Sequence, residues 1–165
     1  MSVVYVHIGL PKTGTTHLQD RLWRNRDLAL QSSGLLYPGN VISDHFHAAV
    51  HLQPERYLDW VDPAFAGTWP TLLGQIRAWP QISLLSHELY STATVDQIER
   101  LMADLSFADL VLWVPTRDGE LVCIAHVRPT TGPTAYQQDL IGTIAEAPYA
   151  DAIRRALRGD DPPGR

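Results

Sequence analysis

The sequence predicts an α/β fold in three layers: a mainly parallel central sheet with helices flanking it. Three observations predict it. Residues 3–8 (VVYVHI), 82–86 (ISLLS) and 109–114 (DLVLWV) are short aliphatic runs with little polar alternation, the pattern of strands buried on both faces. The stretches between them carry apolar residues at helical spacing, as the crossovers of a parallel sheet require. The first run also passes directly into a glycine-bounded loop and then a helical segment.

That loop is Gly9, Leu10, Pro11, Lys12, Thr13 and Gly14, followed by Thr15 and Thr16. The helix is read over residues 17–30, with Leu18, Leu22, Leu28 and Leu30 as a broken apolar stripe. Glycines let backbone N–H groups point into a loop, and the unpaired N–H groups of a first helical turn carry partial positive charge, so the arrangement is a phosphate cradle. It differs from the nucleotide loop GxxxxGK[ST]. Gly9 and Gly14 keep the spacing, but Thr15 stands where the lysine belongs and the cation is Lys12. ATP or GTP hydrolysis is therefore the weaker reading.

Gly34 is a helix stop, and Leu35, Leu36 and Tyr37 form a short extended piece closed by Pro38 and Gly39. Residues 41–62 hold His45, His47 and His51, of which His47 and His51 are spaced to share a helix face. No glutamate follows His47 in a His-Glu-x-x-His arrangement, so no metal is expected. Residues 68–79 read as a helix ended by Pro80, with Leu72, Leu73, Ile76 and Trp79 at helical spacing and with Trp69 and Trp79 as core aromatics. The second strand delivers Ser86, His87 and Glu88 at its carboxyl end, the edge at which open α/β sheets bind ligands. Thr94 and Gln97 form a capping box before a helix with Ile98, Leu101, Met102 and Leu105 on one face. The third strand ends in Pro115, Thr116, Arg117 and Asp118. Lys12, Glu88 and Arg117 should thus meet at one sheet edge. Beyond Asp118, residues 119–127 are apolar and strand-like, 128–133 turn-rich, and 134–147 and 149–158 read as short helices before a disordered tail.

Composition narrows the classes. The chain has 165 residues, 45% of them hydrophobic, which suits one globular α/β domain with a core. A net charge of -5 argues against a general nucleic-acid binder. The single cysteine, Cys123, permits no internal disulfide, and no apolar run approaches transmembrane length, so a cytoplasmic location is expected.

The run Pro11, Lys12, Thr13, Gly14, Thr15, Thr16, between a strand and a helix, resembles the 5′-phosphosulfate loop of the sulfotransferases that use 3′-phosphoadenosine-5′-phosphosulfate (PAPS). The resemblance covers roughly residues 3–118 and implies a P-loop NTPase-like sulfotransferase fold. It implies PAPS as cofactor, 3′,5′-adenosine bisphosphate as product and no metal. Lys12 would stabilise the leaving phosphate, and those loop residues would hold the phosphosulfate. Glu88 or His87 would be the base for a hydroxyl or amine acceptor, since neighbours on a strand face opposite ways. Arg117 resembles the arginine that holds the 3′-phosphate. Tyr37, His45 and His47 are weaker candidates for contact with a small-molecule, glycan or lipid acceptor.

Two departures from the family follow. No serine or threonine lies between Asp118 and His126, where the family shares the 3′-phosphate, and no late glycine-rich loop closes over the nucleotide. The expected organisation is a PAPS-binding core over 1–118, a divergent segment over 119–158 and a tail over 159–165. A degenerate, non-catalytic nucleotide-binding protein is the alternative, and a P-loop small-molecule kinase a weaker one.

Overall fold

The computed structural model describes the backbone of residues 2–9, 15–115, 121–129 and 136–139, and the side chains of residues 2–9 and 15–113. Among the described residues six strands form one sheet: β1 (Val3–His7), β2 (Leu35–Leu36), β3 (Ile82–Ser86), β4 (Asp109–Pro115), β5 (Leu121–Pro129) and β6 (Tyr136–Asp139). Their spatial order is β2-β3-β1-β4-β5-β6. The first three pairings are parallel, with Val3 opposite both Ile82 and Asp109, and the last two are antiparallel. The fold is therefore α/β, with a parallel four-stranded sheet, flanking helices and an antiparallel extension.

The aliphatic runs become strands because both faces are covered. Val4 and Val6 enter one apolar cluster with Leu85 and Leu110, under α3 (Asp44–Leu52), α4 (Thr68–Ala78) and α5 (Val95–Asp104). Tyr5 enters the opposite cluster with Leu84, Val111 and Trp113, under α1 (Thr15–Arg24) and α2 (Arg26–Ser33). The period-2 alternation of a strand sends neighbouring residues to opposite layers, so each run is apolar throughout. The two helix layers seal the sheet, and its carboxyl edge stays open for polar residues.

Local chemistry sets the element ends. The helix expected over 17–30 is two helices, because Asn25 turns its side chain back onto the Arg21 carbonyl at 2.8 Å and leaves helical geometry. Gly34 ends α2 in the left-handed region, φ 67°, and the indole of Trp79 donates to its carbonyl at 2.9 Å. The expected capping box opens α5, with Thr94 accepting from the Gln97 N–H and Gln97 from the Thr94 N–H. Trp69 joins α4 to α5 through Asp104 at 2.7 Å.

Beyond β4 the sequence expectation needs correction. Residues 121–129 are a strand, in keeping with their strand-like composition, but residues 136–139 are also a strand within the range expected to be a helix. Pairing with β5 decides the conformation of Tyr136, Gln137, Gln138 and Asp139, and local propensity yields to it. The second expected helix, 149–158, lies outside the described residues. No helix among the described residues is long and apolar enough to cross a membrane.

Candidate functional site

The carboxyl edge of the parallel sheet gathers a polar cluster under apolar walls. His7 ends β1, Ser86 ends β3, and the two are paired across the sheet. Both side chains are fully buried, with His7 Nδ1 and Ser86 Oγ 2.7 Å apart. The His7 ring stacks on Trp113 of β4 at 4.7 Å, and its Nε2, beside Gly9, is buried with no hydrogen-bond partner among the described residues. Gly9 is required at this spot: a Cβ there would stand 2.6 Å from His7 Nε2 and 2.9 Å from Thr15 Cγ2.

His45 reaches the same edge from α3. Its Nε2–H donates to the Pro38 carbonyl at 2.8 Å, and its Nδ1 accepts the Ser86 N–H at 3.2 Å. These partners fix the neutral Nε2–H form. The Tyr37 ring lies against His45 at 4.2 Å, and the Tyr37 hydroxyl hydrogen-bonds Ser86. Burial raises the Tyr37 hydroxyl far above the ordinary phenol range, and burial lowers both His7 and His45 to about 4. The inner cluster is thus a neutral group of two imidazoles, a serine and a phenol.

The outer part of the cluster carries the charge. His87 follows β3, its N–H donating to the His7 carbonyl at 3.2 Å and its Nδ1 accepting the Leu89 N–H at 3.2 Å. Desolvation lowers its pKa against the opposing pull of Glu88. Glu88 accepts from Gln19 Nε2 of α1 at 3.0 Å and from the hydroxyl of Thr15, and it stands 3.8 Å from His87 Nδ1. Burial pushes this carboxyl up. Its own backbone N–H, His87, Gln19 and Thr15 outweigh burial and leave its pKa below the ordinary value. It is an ionised carboxylate fastened to the first turns of α1. Phe46 touches His87 at 5.6 Å and Trp60 at 5.9 Å, and Trp60 is half exposed at the rim.

Of the sequence-selected residues, the structure brings together Thr15, Tyr37, His45, His87 and Glu88. His47 does not join them: it stacks on Phe65 at 3.6 Å, on the outer side of α3. Pro11, Lys12, Thr13, Gly14 and Arg117 lie outside the described residues. Thr16 is exposed. Sequence reasoning missed His7 and Ser86 as a pair. Each ends a strand, but their meeting is set by the register between β1 and β3, which neither run shows by itself. Among the described residues no group of three or more His, Cys, Asp or Glu side chains is placed to hold a metal ion.

Comparison with known proteins points elsewhere than this edge. The model of the family described as "Histidine kinase PdtaS, GAF domain" matches residues 92–164. The sensor histidine kinase PdtaS of Mycobacterium tuberculosis is 38% identical over 85 residues, which is 48% of this chain and 17% of the kinase. The PdtaS of Mycolicibacterium smegmatis is 33% identical over 94 residues, 50% of this chain and 19% of the kinase. The chain therefore spans less than a fifth of the length of these curated relatives. No solved structure matches it.

These findings correct the functional expectation drawn from the loop. The similarity that extends over a long segment is to a GAF domain, a signal-sensing domain, and none is to a sulfotransferase. The sulfotransferase assignment, the transfer of a sulfuryl group, the P-loop enzyme class, and PAPS with its bisphosphate product are overturned. The misleading signal was a run of six residues, too short to outweigh a match over 92–164. The matched range begins at the end of the 3-10 turn Glu88–Thr92 and takes in α5, β4, β5 and β6, so it contains the antiparallel part of the sheet.

Proposed function

We propose that the segment from residue 92 onward works as a signal-receiving module, like the GAF domain of a sensor histidine kinase, and that the chain's role is sensory rather than catalytic. The observation that carries the reading is the family match over residues 92–164, supported by 38% identity to the mycobacterial kinase. The antiparallel run β4-β5-β6 lies within the matched range. On this reading the segment sets the output of a kinase-type partner, and residues 1–91 are a separate contribution of this chain.

A domain exchange tests the reading. The matching stretch of the Mycobacterium tuberculosis PdtaS is replaced by residues 92–164 of this chain, and autophosphorylation of the hybrid is compared with the parent kinase and with a hybrid carrying a flexible linker of equal length. Retained, parent-like autophosphorylation in the first hybrid and its loss in the linker hybrid support the module. A folded first hybrid that behaves like the linker hybrid refutes it.

A further inference from the structure

A cavity of about 250 Å³ shares the Tyr37 side chain with the cluster at the sheet edge and is otherwise lined by residues outside that cluster. It opens between α2, the segment that leaves β2, and α4, and its walls include Arg26, Asp27, Leu30, Leu36, Tyr37 and Gln75. The volume lies just below the range typical of small-molecule sites. The Tyr37 ring and the two leucines give it an apolar floor. Gln75 closes one side with both ends of its amide engaged, accepting from the Gly39 N–H at 2.7 Å and donating to Asn40 Oδ1 at 3.1 Å.

Arg26 is the unsatisfied member of this lining. Its guanidinium lies 3.7 Å over the Trp23 ring, which holds the planar fork in one orientation. Its polar partner among the described residues is Asp27, through Nε at 3.7 Å, too long for a hydrogen bond. Nη1 is buried with no hydrogen-bond partner among the described residues. A guanidinium fixed by stacking, one-third exposed and short of acceptors is preorganised for an anion whose two oxygens match the fork. Asp27, 84% exposed at the rim, repels a doubly charged group.

We propose that this cavity binds a small monocarboxylate with an apolar body, the carboxylate on Arg26 and the body against Leu30, Leu36 and Tyr37. Nothing in the proposed sensory role of residues 92–164 is needed for it. Calorimetric titration of the full chain with phenylacetate tests it, with benzyl alcohol and phenyl phosphate as companion ligands. Phenylacetate should bind, benzyl alcohol should not, and phenyl phosphate should bind more weakly. Arg26→Gln should weaken phenylacetate by at least about tenfold, the worth of a charge-assisted hydrogen bond, and Arg26→Lys should recover part of the loss. Amide shift mapping on the unsubstituted chain needs no variant and should place the changes in α2 and residues 36–39. A folded chain that ignores phenylacetate overturns the proposal. So do unchanged affinity in Arg26→Gln, tighter binding of phenyl phosphate, and shift changes confined to other elements.

Discussion

Mild acid should destabilise this protein through histidines that the fold keeps neutral. His45 spends Nε2–H on the Pro38 carbonyl and Nδ1 on the Ser86 N–H. A second proton would go onto Nδ1, break the bond from Ser86 and place a charge in a dry interior. His7 sits against Trp113 and is equally closed off. Both have folded pKa values near 4, against about 6.5 in an unfolded chain. With the folded value depressed, the unfolded chain binds more protons between the two values. Stability is therefore intact above about pH 6.5, falls as the pH drops through that window, and bottoms out near pH 4. At about pH 5 each histidine costs about 2 kcal/mol, so the pair removes roughly 4 kcal/mol relative to neutral pH. That is a large share of the stability of a domain this size. Urea unfolding followed by circular dichroism at about pH 7 and pH 5 measures it. His45→Gln, which keeps one donor and one acceptor but cannot ionise, should cut the pH-dependent loss by about half. Equal unfolding free energies at the two pH values would refute the reasoning, and so would a His45→Gln variant as acid-sensitive as its parent.

Three further substitutions probe the scaffold. Gln53 is fully buried, donates to the Leu89 carbonyl at 2.8 Å and accepts from Thr92 Oγ1 at 3.0 Å, so Gln53→Ala should cost about 2–4 kcal/mol in chemical denaturation. Gly9→Ala forces a methyl group against His7 and Thr15 and should lower stability by about 1–3 kcal/mol, with a changed near-ultraviolet signal from Trp113 under the displaced His7. Thr94→Ala removes one half of the capping box and should lower the melting temperature by a few degrees, for a loss of about 1 kcal/mol.

Much of the scaffold can be read from composition because its causes are local or periodic. Residues 82–86 are a strand end to end, Gly34 stops a helix, and Thr94 with Gln97 caps one, each through chemistry confined to a few neighbouring residues. The break at Asn25 was hidden because asparagine is tolerated in a helix until its side chain finds a carbonyl. The strand at 136–139 was hidden because its cause is the pairing with β5. At the sheet edge, His87 and Glu88 were legible from their place after a buried run. His7 and Ser86 were not, because their link depends on the register between strands 79 positions apart in sequence. Function was misread for a different reason. A compact loop motif carries an apparent chemistry in six residues, whereas the similarity to the PdtaS GAF-domain family is spread thinly over residues 92–164.

β4 has a different kind of neighbour on each side. Toward β1 it is held by parallel pairing with a strand about a hundred positions earlier, and toward β5 by a hairpin that closes within a few residues. Short loops close at little entropic cost and long ones more slowly, so the hairpin can form while the chain before it is still searching. β4 would then serve as a template, presenting a finished edge on which β1 docks, with Val3 finding Asp109 and His7 finding Trp113. Any truncation that removes β1 would leave that edge bare, with Leu110, Val111 and Trp113 deprived of their cover. Such fragments should pair edge to edge with one another, and solubility would then depend on the first seven residues of the chain as much as on the strands that follow.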